Sequence, residues 1–133
     1  MNATLLKETD GVEAADELIA LYKHLRLPRL IEEKMLLLLR QSKISKWFSG
    51  IGQEGIAVGA AYALERDDFI LPMHRNLGVF TTRGIPLSKL FRQLMGKEGG
   101  FTKGRDRTFH FGSLEYKIVG MISHLLSLIH ISE

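Results

Sequence analysis

Only one short segment of this chain is predicted to be a β-strand, and it lies among segments with a helical pattern. Phe69-Ile70-Leu71 is an apolar run that ends at Pro72, a residue that cannot donate a hydrogen bond to a sheet. Residues 76–82 are predicted to form a short helix. A strand that leads into a helix is typical of α/β architecture, but one strand cannot make a sheet. The sequence therefore predicts the opening part of a larger α/β domain.

Helical periodicity dominates the rest of the chain. Apolar residues recur at helical spacing over about 18–41, where Pro28 is expected either to kink one long helix or to separate two abutting helices. Residues 53–64 are predicted to form a helix that is slender because of its glycines and alanines, and we expect it to be buried. Further along, the pattern predicts a helix opened by Pro86, a loop over 95–104, and short extended pieces at 109–112 and 118–122.

Composition narrows the class of protein. Of 133 residues, 45% are hydrophobic and 25% are charged, which argues against compositional disorder. The absence of cysteine excludes disulfides, thiolate metal sites and cysteine nucleophiles. The sequence shows no signal peptide and no run near the roughly 20 apolar residues that cross a bilayer. We therefore expect a cytoplasmic protein without a membrane partner.

Positive charge is concentrated in residues 74–107. This segment contains eight basic and two acidic residues, a net excess of six positive charges. Such an excess favours an anionic ligand, although solvated helix faces explain part of it equally well. Nucleic acid is a further alternative, but the segment lacks the interleaved aromatic residues of a single-strand groove, so we expect no nucleic-acid partner. The basic residues are Arg75, Arg83, Lys89, Arg92, Lys97, Lys103, Arg105 and Arg107.

His74 and Arg75 directly follow the predicted strand. Ligands of open α/β sheets gather at the carboxyl ends of strands, and the following helix would present free N–H groups to an anion. The guanidinium of arginine matches phosphate oxygens, and histidine can donate a hydrogen bond to the same group. The pair therefore indicates a phosphate ligand or, equally, a surface arginine beside a turn.

A second candidate lies in the glycine-rich segment that ends at His110. Arg105 and Arg107 bracket Asp106, so they either bind phosphate or form a surface ion network of little energetic value. His110 stands between two phenylalanines, and is either an acid in a pocket or a satisfied core histidine. The five histidines lack metal-ligand spacing, and no Walker motif is present.

Six short motifs occur in one order along the chain and resemble one enzyme family. They are Gly52-Gln53-Glu54-Gly55, Pro72-Met73-His74-Arg75, Arg83-Gly84-Ile85-Pro86, Gly99-Gly100, Lys103-Gly104-Arg105 and His110-Phe111-Gly112. Together they resemble the α subunit of the thiamine-diphosphate-dependent 2-oxoacid dehydrogenases, especially the branched-chain-type and fused α/β bacterial forms. The resemblance covers residues 16 to about 125. It implies an α/β fold class, of which this chain is the N-terminal, mostly helical part of a thiamine-diphosphate-binding fold, truncated before the metal-binding motif.

The resemblance also implies roles for particular residues. Arg75 and His74, which takes the place of a family tyrosine, would contact the cofactor diphosphate. His110 matches a catalytic pocket histidine near the substrate. The Mg²⁺ ligands of the family would lie beyond the end of this chain. The other implied site residues are Ser123 and Leu125 around the aminopyrimidine, and Trp47, Phe48 and Arg107 in the substrate pocket.

The implied activity is oxidative decarboxylation of a 2-oxoacid, with acyl transfer to a lipoyl-bearing acyltransferase. The cofactor would lie between this chain and a β subunit or a fused β region. Residues 1–125 are expected to be a partial domain with a polar lead-in over 1–15, and residues 126–133 a tail foreign to the family. We expect the truncated chain to be inactive alone. An acetoin dehydrogenase α subunit and a non-catalytic helical interaction module stay open as alternatives.

Overall fold

The computed structural model describes residues 11–106 and 108–120. Four α-helices and one 3-10 helix occur in these ranges, and the predicted mostly helical character is confirmed there. None of these helices is both long enough and apolar enough to pass through a membrane. The elements in chain order are α1 (Gly11–Arg40), α2 (Glu54–Tyr62), α3 (Leu77–Thr82), α4 (Leu87–Leu94) and the 3-10 helix Leu114–Tyr116.

Helix α1 is continuous through Pro28, so one long helix rather than two abutting helices is observed. A proline inside a helix costs about 3 kcal/mol, because it removes a hydrogen bond and crowds the preceding turn. Pro28 is fully buried, and Ile31, Met35 and Leu38 follow it into the core at helical spacing. Packing of this face offsets the local cost of the proline and keeps the helix intact.

Helix α2 is buried on one side only, so the expectation that it would be buried as a whole is wrong. Ala57, Val58 and Ala61 are buried, whereas Gly55, Ile56, Gly59 and Ala60 are exposed. The close backbone approach depends instead on a glycine of α3. A Cβ atom on Gly78 would lie 2.8 Å from Val58 Cγ2 and 3.1 Å from Ala57 Cβ. Within the described residues, nothing covers the glycine-bearing side of α2.

The predicted strand at 69–71 is reduced to a single β-bridge. Ile70 pairs in parallel with Ile118, where the Ile70 N–H donates to the Lys117 carbonyl and the Val119 N–H donates to the Ile70 carbonyl, both at 2.9 Å. Ser113 forms an antiparallel bridge with the same Ile118. Phe69 and Leu71, on either side of Ile70, are more than half exposed. A ladder needs consecutive paired residues, and the described part of the chain supplies only these bridges.

The end of α3 and the start of α4 lie at the residues that the sequence predicted. Gly84 ends α3 with a φ of +76°, a conformation that glycine adopts without steric cost, and Pro86 directly precedes α4. Both helices bury apolar side chains in one core, to which α1 and Trp47 also contribute. The buried core residues are Ile31, Met35, Leu38, Trp47, Leu77, Phe80, Ile85, Leu90, Leu94, Phe109, Phe111 and Ile118.

An aromatic cluster attaches residues 109–111 to the helices. The ring of Phe80 lies 5.8 Å from that of Phe109 and 4.9 Å from that of Phe111, and Phe101 stacks on Phe111 at 4.6 Å. Aromatic pairs at such distances stabilise beyond their buried area. The cluster fixes both neighbours of His110 in the core.

Candidate functional site

A buried carboxylate on α1 holds the loop that connects α1 to α2. Glu32 is only 1% exposed, on the same helix face as Pro28 and Met35. Its Oε2 accepts a hydrogen bond from Trp47 Nε1 at 2.7 Å, and its Oε1 accepts one from the Gly50 N–H at 2.9 Å. Because each oxygen has a donor, the cost of removing the carboxylate from water is offset.

The same loop touches the segment that precedes α3. A Cβ atom added to Gly50 would overlap the main-chain carbonyl oxygen of Arg75, so only glycine fits at this position. The contact is between main chains and does not depend on the conformation of the Arg75 side chain. This contact fixes the position of the Arg75 main chain relative to the loop.

His74 and Arg75 both reach the surface at this point. The imidazole of His74, which is half-buried, meets the ring of Phe48 edge to face, with the ring centroids 5.8 Å apart. Arg75 is exposed, and its guanidinium has no hydrogen-bond or ion-pair partner among the described residues. An exposed cation therefore follows a partly accessible hydrogen-bonding ring in the chain, with Phe48 against one side of that ring.

An ion pair ties α1 to the start of α2 beside this surface. Arg29 Nε donates to Glu54 Oε1 at 2.6 Å, and the Gly52 N–H donates to Glu54 Oε2 at 2.8 Å. The hydrogen bond from Arg29 is the main reason that the pKa of Glu54 is lowered, and the same bond raises the pKa of Arg29. The loop before α2 is thus held by two carboxylates, Glu32 and Glu54.

A small, partly open pocket lies between these groups, with room for about one water molecule. Binding pockets for whole small molecules usually enclose roughly 300 to 1,000 Å³. This pocket by itself therefore does not hold a cofactor-sized ligand. The lining residues are Pro28, Glu32, Gly50, Gln53, Glu54, Ala57, Arg75, Leu77 and Gly78.

His110 lies in the segment that contacts Trp47 through Phe109. The ring of Trp47 contacts Phe109 at a centroid distance of 5.4 Å, and His110 follows in the chain. The side chain of His110 is 17% exposed, and its Nδ1 lies 3.6 Å from Asp106 Oδ1. The side chain of His110 is therefore neither sealed in the core nor fully at the surface.

The glycine-rich segment before His110 is anchored by a buried glutamine of α4. Gln93 is 1% exposed, and its Oε1 accepts hydrogen bonds from the Thr102 N–H at 3.0 Å and from the Thr102 hydroxyl at 3.1 Å. A Cβ atom on Gly100 would lie 2.7 Å from the Gln93 Cα. Gly99-Gly100 therefore serves close packing on α4 rather than direct ligand contact.

The structure brings some of the predicted site residues together. Phe48 contacts His74, next to Arg75, while Trp47 is buried and connects this pair to the segment of His110. Of the two aromatic residues predicted to border the substrate, only Phe48 is exposed. Three predicted site residues lie outside the described ranges, namely Arg107, Ser123 and Leu125. In the described ranges, no cluster of three or more His, Asp or Glu residues could hold a metal ion.

Glu32 is the site residue that the sequence reasoning missed. Its signal was present, because it lies on the helix face of α1 that carries the buried apolar residues Ile31 and Met35. A carboxylate on such a face is rarely buried unless it has partners. The partners, Trp47 and Gly50, are 15 and 18 residues away and could not be identified by periodicity.

Comparison with known proteins gives consistent matches. Residues 22–130 match the model of the family described as "Dehydrogenase E1 component". A 2-oxoisovalerate dehydrogenase subunit alpha of Bacillus subtilis (strain 168) is 37% identical over 105 residues, which are 77% of this chain and 32% of that protein. The mitochondrial 2-oxoisovalerate dehydrogenase subunit alpha of Homo sapiens is 31% identical over 114 residues, 86% of this chain and 26% of that protein. This chain thus spans about a quarter to a third of these relatives.

Proposed function

Because this chain belongs to the dehydrogenase E1 component family, we propose that it acts within the α subunit of a thiamine-diphosphate-dependent 2-oxoacid dehydrogenase. The proposed reaction is oxidative decarboxylation of a 2-oxoacid, with transfer of the acyl group to a lipoyl carrier. The relatives named 2-oxoisovalerate dehydrogenase favour a branched-chain substrate over a pyruvate-like one. The observation that carries the proposal is the pair of half-buried His74 and exposed Arg75.

The pair fits a diphosphate. Arg75 offers a permanent positive charge that has no partner among the described residues, and its planar fork matches phosphate oxygens. His74 lies beside it and can donate one further hydrogen bond. Phe48 excludes water from one side of the imidazole. These three residues would bind and orient the diphosphate end of the cofactor.

The remaining residues would act around the reacting end. The bound cofactor supplies the electron sink that decarboxylation requires. His110, held between two buried phenylalanines, would hold or deliver a proton at its imidazole near the substrate. We assign Ser123 and Leu125 to the aminopyrimidine and Arg107 to the substrate pocket by the family resemblance, with Mg²⁺ ligands from outside this chain.

Further protein is needed to complete the site. The pocket at Arg75 is far smaller than a whole cofactor requires. One side of α2 is exposed and apolar, with Ile56 75% exposed, and Leu71 and Met73 are more than half exposed nearby in the chain. Exposed apolar surface of this kind marks interfaces. We propose that a β subunit or a fused β region completes the site and that a lipoyl-bearing acyltransferase receives the acyl group.

We further propose that residues 1–125 form a partial domain. Residues 126–133 are proposed to be a tail foreign to the family, although the match to the family model extends to residue 130. A cytoplasmic location is proposed because a chain without cysteine suits a reducing compartment; the Homo sapiens relative is named mitochondrial.

The proposed function is tested with a hybrid subunit. The matched segment of the Bacillus subtilis relative is replaced by the corresponding residues of this chain, and the hybrid is combined with the partner subunits of that relative. We expect decarboxylation of 2-oxoisovalerate that depends on thiamine diphosphate and Mg²⁺. The chain alone, under the same conditions, is expected to show no turnover.

Two results would overturn the proposal. One is a hybrid that folds and assembles like the parent subunit but has no activity with any branched-chain or pyruvate-like 2-oxoacid. The other is turnover by the isolated chain, which would contradict the need for a completing partner.

A further inference from the structure

Glu32 occupies an unusual place for an ionisable residue. It lies on the core face of α1 with 1% of its surface exposed, among apolar neighbours such as Met35. A carboxylate in such a place is costly unless every acceptor is satisfied. A residue that served only to fill this volume would be apolar. The carboxylate is therefore explained by what its two hydrogen bonds hold.

The first hydrogen bond of Glu32 is connected to Arg75 through Gly50. The Gly50 N–H donates to Glu32 Oε1 at 2.9 Å, and the Cα of Gly50 packs directly on the main-chain carbonyl of Arg75. No flexible side chain intervenes between the Glu32 carboxylate and the backbone of Arg75. A displacement of Gly50 would therefore be transmitted to residue 75.

The second hydrogen bond leads to His74. Trp47 Nε1 donates to Glu32 Oε2 at 2.7 Å, which fixes the indole in the core. The next residue, Phe48, is exposed at the surface, and the centroid of its ring lies 5.8 Å from that of the His74 ring. Rotation or withdrawal of Trp47 would move Phe48 and remove the wall against which the imidazole rests.

We propose that Glu32 is a positioning residue for His74 and Arg75, and that it acts through the main chain of residues 47–50. The inference rests on the proposed function for its ligand, the diphosphate of thiamine diphosphate. The coupling between Glu32 and residues 74–75 does not depend on that ligand. In this role Glu32 would set the spacing of the two residues that contact the cofactor.

The test uses the full chain, labelled with ¹⁵N, and the variant Glu32→Gln. Glutamine keeps the shape of glutamate, but its amide NH₂ must face either the Gly50 N–H or the Trp47 Nε1–H, so one hydrogen bond is lost. NMR signals report the effect of the substitution. The signals of the Gly50 amide and the single tryptophan indole report the two hydrogen bonds of Glu32, and the amides of residues 74–75 report the position of that segment. Ile85→Val is the control, because it trims a buried side chain of the same core and removes no hydrogen bond.

We expect Glu32→Gln to shift the amide signals of residues 74–75 and to speed hydrogen exchange at the Gly50 amide. Thiamine diphosphate, titrated into the hybrid subunit assembled with its partner subunits, should bind about tenfold more weakly when that hybrid carries Glu32→Gln, the scale of one lost hydrogen bond. Thiamine without phosphates should show no such difference. Ile85→Val should leave the signals of residues 74–75 and the affinity unchanged.

Trp47→Phe provides a second variant if Glu32→Gln does not fold, since it removes one donor and keeps an aromatic ring. Unchanged signals at residues 74–75 in a folded Glu32→Gln or Trp47→Phe chain would overturn the positioning role. Equal shifts in Ile85→Val would overturn it as well, because the effect would then be general destabilisation. Shifted signals in the chain, together with an assembled hybrid subunit to which thiamine diphosphate does not bind, would instead overturn the proposed function and leave the coupling established.

Discussion

The Cα of Gly50 packs against the main-chain carbonyl of Arg75, and a hydrogen atom is the largest substituent that fits between them. Gly50→Ala is therefore expected to push the loop of residues 47–52 away from the segment before α3. Overpacking of this kind costs typically 1–3 kcal/mol. Urea denaturation followed by circular dichroism would measure the loss in the free energy of unfolding.

Gly59→Ala is the matched control for that substitution. Gly59 lies inside α2, and a Cβ atom there would meet nothing within 4 Å. Alanine is favoured over glycine in a helix by roughly 0.5–1 kcal/mol, so the control should be stabilised. Equal destabilisation of both variants would show that the contact between Gly50 and Arg75 is not the cause.

The stability of the chain should fall in acid because of Glu54. Its pKa lies below the ordinary value of 4.5, chiefly through the hydrogen bond from Arg29, so the unfolded chain binds a proton more readily than the folded chain. The ion pair thus contributes fully above pH 4.5, and this contribution is lost as the pH falls from 4.5 through the folded pKa.

Thermal melts of the chain and of Arg29→Gln between pH 7 and pH 3 would measure this effect. The variant should start with a lower melting temperature and lose less of it in acid, so that the two curves converge at low pH. Parallel curves would mean that the pKa of Glu54 does not depend on Arg29.

Arg83 is expected to fasten the turn between α2 and the bridge at Ile70. Its Nη1 donates to the carbonyls of Glu65 and Arg66 at 3.0 and 3.3 Å, and its Nη2 donates to the Asp68 carbonyl at 2.8 Å. Hydrogen bonds from a charged donor contribute about 1.5–3 kcal/mol each when buried and less at the surface. Arg83→Ala should destabilise the chain by roughly 1–2 kcal/mol and open the turn to proteolysis.

Limited trypsin digestion would locate that change, with cleavage after Arg66 expected to accelerate in Arg83→Ala. Arg92→Ala, which removes an exposed arginine of α4, serves as the control and should digest like the parent at this site. A digestion pattern that does not change at Arg66 in Arg83→Ala would contradict the assigned role.

Local signals in the sequence predicted the helices well. Gly84 and Pro86 mark the end of α3 and the start of α4 by backbone geometry alone, so no tertiary information was needed. The apolar periodicity of residues 18–41 predicted a helical region, but it could not decide whether Pro28 breaks the helix. That outcome depends on the burial of its face, which is a tertiary property.

Other features could not be read from local patterns. The strand at 69–71 has the right composition, but a strand needs neighbours, and Ile70 finds only Ile118 in the described ranges. The glycines of α2 suggested close packing, whereas the glycine that allows it is Gly78 on the partner helix. The role of Glu32 rests on donors from a distant loop, and sequence spacing carries no information about them.

The exposed side of α2 is expected to be an interface in the assembled enzyme. Ile56 is 75% exposed, so Ile56→Asp should leave the free energy of unfolding of the chain almost unchanged. In the hybrid subunit it should prevent assembly with the partner subunits, measured by size-exclusion chromatography. Leu114→Asp, equally exposed at 78% on the 3-10 helix, is the control; an Ile56→Asp hybrid that assembles normally would refute the interface.

The affinity of the hybrid subunit, assembled with its partner subunits, for thiamine diphosphate is the most direct test of the diphosphate site. Calorimetry should show that Arg75→Ala weakens binding by roughly 10- to 100-fold, since a charge-assisted hydrogen bond is worth about 1.5–3 kcal/mol. Arg66→Ala, which removes the same charge from an exposed turn, should bind like the unsubstituted hybrid. Undiminished affinity in Arg75→Ala, with its fold and assembly intact, would contradict the assignment of this arginine to the diphosphate.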